Sequence, residues 1–269
     1  MLKAILHGKA GRAVLAGGVE QSWREIFRQR EDLLTATFFG RLAYLSDAGK
    51  QRVLKLLAPG LTETLGPMES ISFWPRLTGH AKRSFVEPDV LINYANVAFL
   101  IEVKPPFSGQ QSFEQWKAEI ESLVLQKERE NSEWMVPDKI CFVALGRNIK
   151  DWKATATALE AEYADYGLSI HAVEWHDINH GITALLDAEE GHDAFIYSDW
   201  IEAFSLFGLI DRPAPFEGML PLAGKISSSW PHFFKTTTPP QISTVDEQVD
   251  WQSIVGLTNH STLEPKLWA

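Results

Sequence analysis

Two acids and a lysine stand in apolar company in this sequence. Asp89 opens the run "EPDVLINYA" at 87–95, and Glu102 and Lys104 lie near the end of "VAFLIEVKP" at 97–105. An unpaired carboxylate is costly to bury, so each needs a partner. If the two runs are strands of a hairpin turning at Ala95–Asn96, Asp89 falls directly opposite Glu102. A four-residue turn over 94–97 keeps that register, and any even-length loop keeps both acids on one face. Lys104, two residues beyond Glu102, projects from the same face. Opposed acids repel by about 1 kcal/mol at ~4 Å in water and about 4 kcal/mol at an effective dielectric of 20. One lysine cannot neutralise both. A divalent cation can, and hard oxygen donors of this kind suit Mg²⁺ (or Mn²⁺). Such a cation polarises a phosphoryl oxygen and acidifies a water, while the lysine positions the water and meets charge developing on phosphorus. That is equipment for cleaving phosphodiesters.

The surrounding pattern supplies elements to hold these residues. "VEQSWREIFRQREDLLTATFFGRLAYL" (19–45) has apolar residues at helical spacing and predicts one long helix or two joined ones. "DAGKQRVLKLL" (47–57) predicts another, capped by Asp47 or Ser46, and "APGLTETLGP" a loop. Three extended runs follow, at 70–77, 89–94 and 97–104. Pro75 marks the first as an edge or a strand end. Then come an amphipathic helix over 112–130, a strand over 139–147, a helix over 152–167 ended by Gly167, and a strand over 169–175. The last two predicted elements are helices over 177–188, capped by Asp177, and over 198–210. The order describes an α/β layer architecture with a mixed sheet.

At Pro88-Asp89 and Glu102-Val103-Lys104 the sequence resembles the PD-(D/E)XK nuclease superfamily, the restriction-endonuclease-like fold. The setting agrees: an acid at the start of one hairpin strand, ExK inside the next, then a helix. The resemblance covers roughly residues 20–185 as an αβββαβ core. The core carries additions: by the residue pattern, N-terminal helices precede the mixed sheet and an irregular C-terminal extension follows. By family pattern Asp89 and Glu102 bind Mg²⁺, the Val103 carbonyl adds a ligand, and Lys104 assists the attacking water. Many members carry a further acid on the helix before the sheet; Glu31 is the choice here over Glu20, Glu25 or Asp32. Many also carry a glutamine on the helix after ExK. Gln115 in "FEQWKAEI" fits best, with Gln110 and Gln111 nearer but in the loop.

Composition bounds the rest. The chain has 269 residues and 45% hydrophobic composition, enough for a sizeable core. Three segments are expected: an arm over 1–18, a nuclease-like domain over 19–210, and an extension over 211–269. The extension is rich in Pro, Ser and Thr yet holds Trp230, Trp251 and Trp268, which suits packing along the domain or on a partner. A single cysteine, Cys141, rules out an internal disulfide and points to a reducing, cytoplasmic setting. Neither a signal peptide nor a membrane span is predicted.

Net charge is −10 but uneven. Residues 1–83 hold 13 Lys/Arg and 7 Asp/Glu, net +6; residues 84–269 hold 12 and 28, net −16. The basic third suits a polyanion such as DNA, the acidic remainder a protein partner or solvent. Arg24, Arg28 and Arg30 either contact phosphates near Glu31 or line a solvated helix face. Trp74 and Trp116 are candidates for base stacking, although most tryptophans serve cores and interfaces. His176 and His180 have metal-ligand spacing, but no third ligand is evident. The expected activity is metal-dependent deoxyribonuclease, one subunit of a bacterial defence or restriction system, working as a homodimer or with a protein partner. The alternative is a non-catalytic scaffold subunit that retains the fold.

Overall fold

The computed structural model describes residues 2–209, apart from 16, 63–64, 79–83, 107–108, 130–133 and 135. The extension expected over 211–269, with its three tryptophans, lies outside the described residues.

The chain opens with a short helix α1 (Leu2–Leu6), whose Ile5 is buried in the main core, and a small antiparallel ribbon of β1 (Arg12–Val14) and β2 (Glu20–Ser22). The helical stretch after it is two helices, α2 (Trp23–Gln29) and α3 (Glu31–Leu42). The break falls at Arg30, whose backbone is extended (φ −108°, ψ 113°). Ser22 starts α2 with a reciprocal capping box to Glu25. Of the two candidate caps for α4 (Asp47–Leu57), Ser46 is the one used: its Oγ accepts from the Gly49 N–H at 3.0 Å.

Next comes β3 (Met68–Phe73), an edge strand of the central sheet. It stops at Trp74, whose φ of 49° is unusual for a residue with a side chain. The run expected over 70–77 is therefore split. Its end, β4 (Leu77–Thr78), pairs separately with β5 (Phe85–Val86). Pro75 after the positive φ gives the turn that separates them.

The hairpin of β6 (Val90–Tyr94) and β7 (Val97–Val103) has the predicted register: Val90 opposes Ile101, Leu91 opposes Leu100, Ile92 opposes Phe99 and Asn93 opposes Ala98. A helix α5 (Phe113–Glu128) then crosses to β8 (Lys139–Leu145), which lies parallel to β7. A second crossover, α6 (Trp152–Glu162) and a 3₁₀ turn (Ala164–Tyr166) closed by Gly167 at φ 53°, leads to β9 (Ser169–Val173), parallel to β8. The sheet order is β3-β6-β7-β8-β9, antiparallel on one side of β7 and parallel on the other.

Two helices close the described chain, α7 (Trp175–Asp187) and α8 (His192–Phe207). Both begin earlier than the sequence suggests. Asp177, expected as the cap of α7, lies in its first turn; the cap position is Glu174. The cause is tertiary: Trp175, the first helical residue, is buried and donates its indole N–H to the Lys104 carbonyl at 2.9 Å.

Alternation along β7 sorts its side chains between two cores. Val97, Phe99, Ile101 and Val103 join α3, α4, α7 and α8 on one face; Ala98 and Leu100 meet α5 and α6 on the other. Each fully buried Leu, Ile or Phe is worth about 1.5–3 kcal/mol by removal from water. Among the described residues, no helix is long and apolar enough to cross a membrane.

Candidate metal centre

Glu102 is the next residue in the α5-facing row of β7, after Ala98 and Leu100. Here the row stops being apolar. Continuing the hairpin register by one step sets Asp89 opposite it. Asp89 and Glu102 are 6% and 1% exposed, so both carboxyls are withdrawn from water. The Asp89 carboxylate is aimed by the neighbouring strand: its Oδ2 accepts from the Val103 N–H at 2.8 Å, and its own carbonyl accepts from the Trp74 N–H at 3.0 Å. Glu31 arrives from the other layer as the first residue of α3, its side chain 31% exposed. Glu31, Asp89 and Glu102 each offer an oxygen, and those oxygens all lie within 4.8 Å of one another. Three hard donors at this spacing fit one divalent cation.

Lys104 lies among these acids. Its Nζ donates to Glu31 Oε1 at 3.1 Å, to the Val103 carbonyl at 3.2 Å, and to Glu102 Oε1. Its backbone is pinned at both ends. The Lys104 N–H donates to the Leu145 carbonyl at 2.8 Å, and the Lys104 carbonyl accepts from Trp175. Gly146 permits that close approach. Its φ is +102°, and a Cβ there would lie 1.9 Å from the Lys104 carbonyl oxygen.

Helix α5 supplies the amide. Gln115 Nε2 donates to Glu102 Oε1 at 2.7 Å and to Glu119 Oε1 at 2.9 Å. Glu31, Asp89, Glu102, Lys104 and Gln115, the five residues that the sequence predicts for the site, thus converge with the Val103 carbonyl at the C-terminal end of β7.

Two neighbours join the site without a sequence motif to mark them. Glu119, fully buried on α5, is a fourth carboxyl beside Glu102; its Oε2 has no hydrogen-bond partner among the described residues. The signal available for it was position: four residues after Gln115 and three after the buried Trp116, it sits on the apolar stripe of the helix. Gln111, in the loop before α5 as the sequence predicts, is 3% exposed. Its Nε2 donates to the carbonyls of Glu102 and Leu145, both at 3.2 Å, and its Oε1 accepts from Trp116 Nε1 at 2.8 Å. It ties the ends of β7 and β8 to the start of α5.

Electrostatics reflect the crowding. Burial, reinforced by the Glu102 charge, pushes the Asp89 carboxyl up to about 8. Burial also raises Glu31, against the pull of the Lys104 ammonium. Glu119 is pushed well up by burial and then by Glu102. For Lys104, burial works against the charged form, but the charges and hydrogen bonds of Glu102 and Glu31 outweigh it, and its pKa is raised. The raised values mean that, around a single ammonium, the crowded acids are driven to keep protons, and a bound cation would favour their release.

Other sequence candidates fall elsewhere. Trp116 is fully buried, so it packs rather than stacking on bases. Trp74 is half-buried beside the Asp89 carbonyl. Arg24, Arg28 and Arg30 are exposed, Arg24 donating to the Leu6 carbonyl at 3.0 Å. The exposed rings of His176 and His180 lie 4.1 Å apart on α7, but no third ligand joins them among the described residues.

Comparison with known proteins adds little chemistry. A protein of Pasteurella multocida (strain Pm70), named Uncharacterized protein PM0110, is 39% identical over 114 residues. The match covers 42% of this chain and 43% of that protein, so the chain spans less than half of the relative's length. No family model and no solved structure matches the chain.

Proposed function

We propose that the protein is a Mg²⁺- or Mn²⁺-dependent endonuclease of the PD-(D/E)XK superfamily that hydrolyses DNA phosphodiesters. One observation carries the reading: Glu31, Asp89 and Glu102 bring their oxygens within 4.8 Å while Lys104, two residues on from Glu102, reaches the same point. Glu31, Asp89, Glu102 and the Val103 carbonyl would hold the cation. Bound there, it supplies Lewis acidity at phosphorus and a more acidic water. Lys104 orients that water for in-line attack and meets charge as it develops on the phosphoryl oxygens. Gln115 holds Glu102 in its rotamer, so its carboxylate needs no reorganisation as the reaction proceeds. Gln111 and Trp175 fix the backbone on either side of the lysine.

Purified protein, supercoiled plasmid DNA and Mg²⁺ or Mn²⁺ provide the test, with single-stranded DNA and RNA in parallel arms. Nicking or linearisation that disappears in Asp89→Ala and Lys104→Ala supports the reading. Cleavage that survives both substitutions refutes the site, and cleavage confined to RNA refutes the substrate. The alternative is a scaffold subunit that retains the fold. It draws on the closed ion network in which Lys104 already partners two acids. Absence of both cation binding and cleavage would decide for it. Residues 84–269, with net charge −16, suit a protein partner under either reading. Membership of a bacterial defence or restriction system is an extension of the proposal by analogy with the superfamily.

A further inference from the structure

We infer that Lys104 occupies the cation's own position in the metal-free protein, so that metal loading is an exchange of the ammonium for the metal on a shared set of oxygens. This rests on the metal-site reading of Glu31, Asp89 and Glu102 and goes beyond it. An ammonium has three N–H donors and no acceptor. Here all three donors are spoken for: Glu31 Oε1 at 3.1 Å, the Val103 carbonyl at 3.2 Å, and Glu102 Oε1. Those are three of the four groups assigned to the cation. The fourth, Asp89, already gives Oδ2 to the Val103 N–H. The carboxylates keep other lone pairs, so the exclusion is one of charge and space: a cation seated where these oxygens converge would lie against the ammonium that already donates to them.

Burial makes the competition direct. The Lys104 side chain is 13% exposed and that of Glu102 2%, so water cannot readily substitute for either partner. The lysine is a resident counter-ion: it offsets part of the repulsion among the acids and lets the sheet end form before metal arrives. Its backbone stays fixed by Leu145, Trp175 and the Gly146 cradle, so the exchange involves the flexible side chain alone. Leaving Glu31 and Glu102, the ammonium is freed close to the site, where the proposed reaction needs a donor for the attacking water. Loading the metal and arming the lysine are then the same event.

The test reads binding and structure, not turnover. Mn²⁺ affinity is measured by calorimetry for the wild type, Lys104→Met and Lys104→Gln, with circular dichroism to confirm folding. The inference expects both variants to bind Mn²⁺ at least tenfold more tightly than the wild type. Equal or weaker binding by folded variants, while the wild type binds Mn²⁺ and cuts DNA, overturns the exchange and leaves the nuclease reading intact. Failure of the wild type and both variants to bind any divalent cation overturns both. A wild-type structure with Ca²⁺ needs no variant to fold. The inference expects the ion among Glu31, Asp89 and Glu102, with Nζ out of hydrogen-bonding reach of Glu31 and Val103. Calcium bound with those lysine contacts unchanged overturns it.

Discussion

Replacing Asp89 by asparagine should make the metal-free protein more stable, and the gain should grow with pH. Asparagine keeps an oxygen for the Val103 N–H, which Asp89 now satisfies at 2.8 Å, and removes a charge from a position 6% exposed. The Asp89 carboxyl has an ordinary value of 3.8 and is raised to about 8 in the fold. Between those limits the folded state holds a proton that the unfolded state has released. Stability is therefore lost as pH rises, at about 1.4 kcal/mol per pH unit for one group. At pH 7 the accumulated cost is roughly 4 kcal/mol, and above pH 8 it levels off at roughly 6. The Asp89→Asn variant escapes that cost. Raised Glu31 and Glu119 slope the same way in both proteins, and so cancel to first order in the difference. Urea unfolding of both proteins in EDTA from pH 4 to 8.5 measures it. The expected gain is near zero at pH 4 and several kcal/mol at pH 8. Saturating Mg²⁺ should shrink it, because the ion stabilises only the wild type. A difference that is flat in pH, or a variant less stable than wild type at pH 8, would refute the account of Asp89 as a buried, repelled carboxyl.

Two further substitutions probe the supports. Gln115→Met keeps the volume but strips the amide that donates to Glu102 and Glu119, leaving both carboxyls underbonded; cleavage should fall 10- to 100-fold at saturating Mg²⁺ while the helix content by circular dichroism stays unchanged. Gly146→Ala forces a Cβ onto the Lys104 carbonyl oxygen at a positive φ; thermal denaturation should show a loss of roughly 2–4 kcal/mol, and cleavage should fall even in the fraction that remains folded at 20 °C.

The β6–β7 register was legible because two local rules agreed: apolar alternation on both strands and a turn fixed at Ala95–Asn96. Once register is set, the meeting of Asp89, Glu102 and Lys104 follows from parity alone. Glu31 and Gln115 needed the family resemblance, since nothing local tells an inward-facing helix residue near a helix start from a solvated one. Glu119 was hidden by its type rather than its position. It stands among Glu114, Lys117 and Glu121, where a charged residue reads as solvent face, although its spacing from Trp116 and Leu123 places it on the buried stripe of α5. The early start of α7 was also invisible, because it is set by an indole of that helix reaching a carbonyl just past the end of β7.

Among the described residues, strand β7 is the one strand of the sheet with an antiparallel neighbour on one side and a parallel neighbour on the other, and all seven of its residues are buried. Amides in such a strand exchange with solvent only through the largest opening motions of the molecule. Glu102 and Val103 belong to it, and Lys104 follows directly. The groups proposed to react are thus mounted on what should be the slowest-exchanging part of the protein. Partial melting or proteolytic trimming at α1 or the β1–β2 ribbon should leave their arrangement standing. Heat inactivation should then coincide with global unfolding, with no dead but folded state before it.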